Sequence, residues 1–148
     1  MAAILNEIIA IGGTTAFEEP VTEENMIDWY VTSKALYCCH VAVDENNALA
    51  GFQALEQTDA YGPGIGEISS FARQSSPVSG TGKLLFAETR IAAARLGLKA
   101  INAKIRTDNQ PGLRYYTKMG FQDHSVIADV PLKDGTPVDR VLKRFQIA

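Results

Sequence analysis

Apolar residues at Ile4, Leu5, Ile8, Ile9 and Ile11 recur three and four positions apart, a period that predicts a helix with one buried face from Met1 to about Ile11, ended by Gly12-Gly13. Thr22 precedes Glu23 and Glu24, so a second helix is expected there, capped by the threonine and carrying Trp29 and Tyr30. Tyr37 to Val43 and Ala48 to Leu55 are rich in strand formers and flank Asp44-Glu-Asn-Asn47, the pattern of a hairpin. Gly62-Pro-Gly64 marks a loop, and Gly66 to Ala72 a third strand. A helix from about Lys83 to Leu96 follows, with Leu84, Ala87, Ile91 and Ala94 along one face, and Gly97 closes it. Ala100 to Ile105 is a continuous apolar run, which predicts a buried strand, and Pro111 fits the first turn of the next helix, where its missing N–H costs nothing. Phe121 to Val130 and Val138 to Gln146 finish the chain as strands about Asp134-Gly135. Strands and helices alternate in the middle and two strands end the chain, so the expected fold is α/β or mixed α+β, a sheet with helices on both faces.

At 148 residues and 46% apolar composition, the chain can bury a core, and residues 1–148 are expected to form one domain. The formal net charge is −3 and no run of Lys or Arg exceeds two, which argues against a nucleic-acid partner or an anionic membrane surface. The apolar runs are too short for a bilayer span, and Met1-Ala-Ala-Ile-Leu has no basic segment of a secretion signal. Cys38 and Cys39 are adjacent in a strand, so their side chains point to opposite faces and a bond between them would be strained. They read as two small thiols of a reduced, cytoplasmic protein. His40 is close by, but no second cluster completes a metal site, and no metal is expected.

Candidate chemistry begins at Ser79-Gly80-Thr81-Gly82, between a strand and a helix. Successive backbone N–H groups there can face one concavity at a helix N-terminus, which favours a pyrophosphate, and glycine permits close approach and positive φ. A Walker P-loop is excluded, because Leu84 stands where Ser or Thr must hold magnesium and Pro77 where the first glycine belongs. Taken alone, the segment reads first as a plain strand-to-helix turn.

That context is Asn109-Gln-Pro-Gly-Leu-Arg-Tyr-Tyr-Thr-Lys-Met-Gly-Phe121. With the glycine turn upstream, it resembles the acetyl-CoA site of the GNAT superfamily of N-acetyltransferases. Members carry Gln/Arg-x-x-Gly-x-Gly/Ala at the turn, and this chain has Pro77-Val-Ser-Gly-Thr-Gly82, matching both glycines but not the leading residue. The resemblance runs from Ala16 to Phe121. Thr15-Ala-Phe-Glu-Glu-Pro20, Trp29 and Glu67 resemble the phosphinothricin-acetyltransferase-like branch. It implies a mostly antiparallel mixed sheet, whose usual first strand is absent here.

The resemblance also assigns roles. Acetyl-CoA would lay its pyrophosphate on the backbone of Val78, Ser79, Gly80, Thr81, Gly82 and Lys83, and its pantetheine beside the strand ending at Phe71 and Ala72, with Asn109 contacting it near the helix start. Tyr116, four residues before Gly120, would protonate the leaving thiolate, while Tyr115 would pack the helix onto the sheet. A phenol is neutral at pH 7 and can donate a proton, so the assignment is chemically sound. Glu67 would take the proton of the ammonium acceptor, directly or through water; its plain alternative is a solvated strand-edge charge. Asn109 serves equally as a helix cap.

Phe17, Glu18 and Glu19 would wall the acceptor pocket, their carboxylates favouring a cationic amine or an amino-acid ammonium; as an alternative they are a polar lead-in to Pro20. His124 would line the same pocket or stand solvated on its strand. The implied reaction is acetyl transfer to the amine of a small molecule or amino acid. The alternatives are a non-catalytic acyl-CoA-binding domain and a peptide or protein N-terminal acetyltransferase. Relatives in this branch commonly pair, and a stripe of Ile4, Ile8 and Ile11 needs cover, so a homodimer is expected.

Overall fold

A computed structural model describes residues 1–148. Two helices come first, α1 (Ala2–Ile11) and α2 (Glu23–Tyr30), then the strands β1 (Leu36–Val43), β2 (Leu49–Gln57) and β3 (Ile65–Ala72). Helix α3 (Thr81–Arg95) crosses to β4 (Ala100–Arg106), and α4 (Gln110–Lys118) precedes β5 (Gln122–Pro131) and β6 (Pro137–Gln146). The six strands form one sheet in the order β1-β2-β3-β4-β6-β5, antiparallel throughout except between β3 and β4. Each expected element is present, with ends displaced by a residue or two. The sheet is mixed and mostly antiparallel with helices on both faces, as expected. No helix is long and apolar enough to cross a membrane.

Local chemistry sets the boundaries. The Thr22 side chain accepts from the Asn25 amide while Asn25 Oδ1 accepts from the Thr22 amide, a reciprocal cap that starts α2. Gly80 stands before α3 in the left-handed region, at φ +85°, where a side chain would be strained.

The sheet separates two cores. Against one face, α1 and α2 bury Ile4, Leu5, Ile8, Met26 and Tyr30 over Phe52, Ala54 and Phe71. Against the other, Leu55, Ile68, Ile101, Ala103 and Ile105 meet Phe86 and Ala93 of α3, Tyr116 of α4, and Phe121. Cys38 packs against the second core and Cys39 against the first, as strand alternation requires. Burial raises both thiols, Cys39 to about 11, so neither is a poised nucleophile at neutral pH.

Two expectations about buried faces are corrected. Helix α3 does not bury Leu84, Ala87, Ile91 and Ala94: Leu84 is 60% exposed and Ile91 42%. The buried row is Thr81, Leu85, Thr89 and Ala93, with Phe86 beside it. This row mixes threonines with apolar residues, so hydrophobicity alone did not separate it from its neighbour. Thr89 earns its burial through a polar partner, with Oγ1 3.2 Å from His40 Nδ1. On α1, Ile4, Leu5 and Ile8 are covered by the chain's own sheet, whereas Ile11 is 61% exposed beyond it. Ile4 and Ile8 of the stripe therefore need no partner copy, while Ile11 stays uncovered.

Candidate active site

Strands β3 and β4 pair only through Ile65–Glu67 against Ala100–Asn102. Past that point β3 runs on beside β2 to Ala72, and β4 runs on beside β6 to Arg106. The parting opens a cleft of about 330 Å³. Ser70, Phe71 and Ala72 line it from β3, Gly82 and Leu85 from α3, and Asn109, Pro111, Gly112, Tyr115 and Tyr116 from the α4 side, with Ile8, Thr14 and Gln74 completing the lining.

Helix α4 is held at the mouth by Asn109. Its Oδ1 accepts from the Gly112 amide at 2.9 Å, capping the helix, and its Nδ2 donates to the Thr14 carbonyl at 2.8 Å. Two adjacent tyrosines then face the cleft. Tyr116 is only 7% exposed, belongs to the core, and has its phenol oxygen 2.8 Å from Ser70 Oγ. Burial drives its pKa upward, with the Ser70 hydrogen bond acting in the opposite direction, so the phenol keeps its proton. Tyr115 donates to the Gly82 carbonyl at 2.8 Å and accepts from Gln53 Nε2 at 3.1 Å. Tyr115 packs the helix onto the sheet, as expected, and also braces the glycine turn; Tyr116 is itself part of the core, and both line the cleft. Neighbours on a helix lie about 100° apart, and the inward face of α4 is wide enough for both.

The turn itself offers backbone donors. The amides of Gly82 and Lys83, in the first turn of α3, have no backbone acceptor, while Thr81 Oγ1 donates to the Val78 carbonyl at 2.8 Å. The side chains of Val78, Ser79 and Lys83 point to solvent. The reasons for the two glycines differ. Gly80 supplies the positive φ, whereas a Cβ on Gly82 would come within 2.6 Å of the Tyr115 ring. The segment leading into the turn is pinned by Glu7, whose carboxylate accepts from the Gln74 amide at 2.9 Å and the Ser75 amide at 2.6 Å. These bonds hold the Glu7 carboxyl below the usual range, the Gln74 amide contributing most.

Glu67 lies where the strands part, as the last residue of β3 paired with β4, but does not line the cleft. It is 3.3 Å from Lys104 Nζ and faces Glu56 across the β2–β3 register. Burial, reinforced by Glu67, raises the Glu56 carboxyl. Phe17 stacks on Trp29 at 5.4 Å and leans on Phe71 of the cleft wall. Glu18 and Glu19 are exposed and hold the β5–β6 hairpin instead: Glu18 accepts from the Lys133 amide at 2.8 Å, and Glu19 pairs with the Lys133 ammonium. His124 is exposed at a bulge of the edge strand β5, away from the cleft.

Residues 5–121 match the profile of the acetyltransferase (GNAT) family. The chain belongs to this family. A Bacillus subtilis (strain 168) protein named "Putative phosphinothricin acetyltransferase YwnH" is 31% identical over 145 residues, spanning 94% of this chain and 86% of its own length. A crystal structure of "a putative phosphinothricin N-acetyltransferase" superposes with a TM-score of 0.83 at 27% identity, over 100% of this chain and 91% of the other. A phosphinothricin acetyltransferase of the GNAT superfamily from Sinorhizobium meliloti, solved in complex with acetyl-CoA, gives a TM-score of 0.83 at 20% identity, over 99% and 81% of the two chains.

The sequence reading of this GNAT chain missed Gln53, Ser70, Glu7 and Glu56. Gln53 is fully buried in β2 and donates to Ser70 Oγ at 2.8 Å as well as to Tyr115. A glutamine in the apolar run Gly51-Phe-Gln-Ala-Leu55 was its one available signal, since a buried amide needs partners.

Proposed function

We propose that this chain transfers the acetyl group of acetyl-CoA to the amine of a small molecule or an amino acid. The observation that carries the proposal is the Tyr116 phenol, protonated and hydrogen-bonded, at the wall of a cleft between two parted strands. The residues present fit the cosubstrate. Free amides at Gly82 and Lys83 and the positive φ of Gly80 suit a pyrophosphate. The side of β3 that leaves β4 after Glu67 presents strand backbone to an extended pantetheine, in the manner of an added strand. Val78 to Lys83 would thus hold the phosphates, and Phe71, Ala72 and Asn109 the arm.

Bound acetyl-CoA supplies a thioester, an acyl carbon open to attack by an amine and a sulfur that leaves as a thiol. The Tyr116 Oη holds the proton that the departing sulfur needs. Glu67 takes the proton of the acceptor ammonium, directly or through water. The remaining contribution is positioning, since Asn109 and Tyr115 fix α4 against the loop before α2 and against the glycine turn. In this reading the protein works in the cytoplasm, and two copies pair through the edge strand β1, where Val41 and Val43 are exposed. Sedimentation showing a fully active monomer at micromolar concentration would remove the pairing.

The test is release of free thiol from acetyl-CoA across amino acids, polyamines and peptides. Release that depends on a small amine, and falls most at low pH in Glu67→Gln, is the expected result. Tight coenzyme A binding with no amine-dependent release would replace this reading with a non-catalytic acyl-CoA-binding one.

A further inference from the structure

Gln53 on β2 has no exposed surface, yet its amide carries two N–H donors and a carbonyl acceptor. Its register partner on β3 is Ser70, so both side chains leave the sheet face that meets α3 and α4. The contacts around it fix where each proton lies. The Gly82 carbonyl can only accept, so Tyr115 Oη, 2.8 Å away, places its one phenolic proton there. Tyr115 Oη therefore accepts from Gln53 at 3.1 Å, a bond that only the amide nitrogen can give. The same nitrogen lies 2.8 Å from Ser70 Oγ and directs its other proton to it. Gln53 Oε1 is left buried with no partner.

An orphaned buried carbonyl is unfavourable, and its presence shows what the orientation protects. Turned over, the amide would offer Oε1 to Ser70 and Tyr115, and Tyr115 would have to leave the Gly82 carbonyl to answer it. Each bond in the row would then reverse, with Ser70 donating to Gln53 and Tyr116 donating to Ser70. In the orientation observed, Ser70 receives from Gln53 and its own proton is free for Tyr116 Oη at 2.8 Å. Tyr116 thus accepts from within the protein and keeps its proton for the cleft, and burial holds that proton on the phenol. Tyr115 lines the same cleft but has no proton to give.

We infer that Gln53 is the positioning residue that settles which of two adjacent tyrosines is the acid. One N–H commits Tyr115 to the glycine turn, and the other, by way of Ser70, turns the Tyr116 proton toward the departing sulfur. Gln53 itself does not line the cleft and acts only through these neighbours. When the carbon–sulfur bond breaks, the Tyr116 proton passes to the sulfur, the phenolate keeps the Ser70 bond, and solvent returns a proton after the thiol leaves. The inference rests on the acetyltransferase reading above and adds to it the group that sets the direction of proton delivery.

The experiment compares Gln53→Glu with Gln53→Met, each alone and combined with Tyr116→Phe, by thiol release across pH and by coenzyme A titration. A carboxylate can only accept, so Gln53→Glu should reverse the row and lower kcat about 10²-fold at neutral pH, the low end of a general acid's contribution. Burial raises the introduced carboxyl, and below that raised value it carries an O–H donor again, so the loss relative to the parent should shrink as pH falls. Gln53→Met removes the donors without reversing them and should lower kcat about 2- to 10-fold, the worth of a hydrogen bond. Coenzyme A affinity should stay near the parent value in both. In the Tyr116→Phe background both losses should vanish, because no phenolic proton remains to be aimed. The inference is overturned if both folded variants keep the parental kcat, or if their losses are as large without the Tyr116 hydroxyl. Should the buried charge unfold Gln53→Glu, Gln53→Met and a neutron structure of the parent carry the test. In that structure a Ser70 deuteron directed at Tyr116 is expected, and a Tyr116 deuteron directed at Ser70 overturns the inference. Absence of thiol release from the parent with any amine, beside the expected deuteron, would retain the proton order and reject the transfer.

Discussion

The phenol oxygen of Tyr116 lies 2.8 Å from Ser70 Oγ, and Gln53 Nε2 donates to that same oxygen from 2.8 Å. With a donor already directed at Ser70, the serine proton is available to Tyr116 and the phenolic proton is left for the cleft. The serine would then steady the phenolate formed after donation.

Tyr116→Phe should lower kcat by about 10² to 10⁴, the usual contribution of a general acid. Coenzyme A affinity should stay near the parent value. Ser70→Ala should lower kcat by less, because the acid remains and only its support is lost. Steady-state kinetics with a parallel coenzyme A titration read both, and a larger effect from Tyr115→Phe than from Tyr116→Phe would assign the acid to the other tyrosine.

Gly82→Ala should disrupt the turn through Tyr115, whose ring stands 2.6 Å from the added Cβ. Overpacking of this kind costs about 1–3 kcal/mol. Gly80→Ala meets no neighbour and should cost about 1–2 kcal/mol from its left-handed backbone alone. In a Tyr115→Ala background the Gly82→Ala penalty should shrink while the Gly80→Ala penalty persists. Urea unfolding of the single and double variants checks the difference.

Glu7→Gln should loosen the lead-in to the glycine turn and weaken coenzyme A binding by about 2- to 10-fold, the worth of a hydrogen bond. The Glu7 carboxyl is held below its ordinary value by the Gln74 amide, so its stabilising effect is present above the ordinary carboxylate range and is lost as pH falls through the lowered value. Melting curves should therefore separate Glu7→Gln from the parent at pH 7 and bring them together in strong acid.

Glu56→Gln should behave in the opposite sense. Burial and the facing Glu67 raise the Glu56 carboxyl, so the folded state disfavours its ionised form at neutral pH. The parent is relieved of this penalty as pH falls through the raised value, fully so once below the ordinary carboxylate range. The amide variant should melt higher than the parent at pH 7 and lose that advantage near pH 4.

Much of this arrangement was legible in the sequence because it is written locally. Thr22 and Asn109 are caps, Gly80 supplies a backbone angle, and strand alternation sends Cys38 and Cys39 to opposite cores. What stayed hidden depends on pairings far apart in the chain. Glu18 and Glu19 reach Lys133 more than a hundred residues away, which turns two apparent pocket residues into a clasp on the last hairpin. Arg106 and Arg140 become neighbours only through the β4–β6 register. The buried row of α3 was misjudged because Thr81 and Thr89 are buried for their hydrogen bonds rather than for their apolarity.

The short pairing of β3 with β4 has one more consequence. It makes the sheet two half-sheets, β1-β2-β3 and β4-β6-β5, joined by a seam of three residue pairs. Whatever occupies the gap touches β3 on one side and α4 on the other, and so fastens the first half of the chain to the second. Occupancy and cohesion are then the same event: a molecule that prefers the folded cleft strengthens the seam in proportion to its concentration over its dissociation constant. The amides of Ile68 to Ala72 that face the opening are the ones whose exchange with solvent would slow as the seam is fastened.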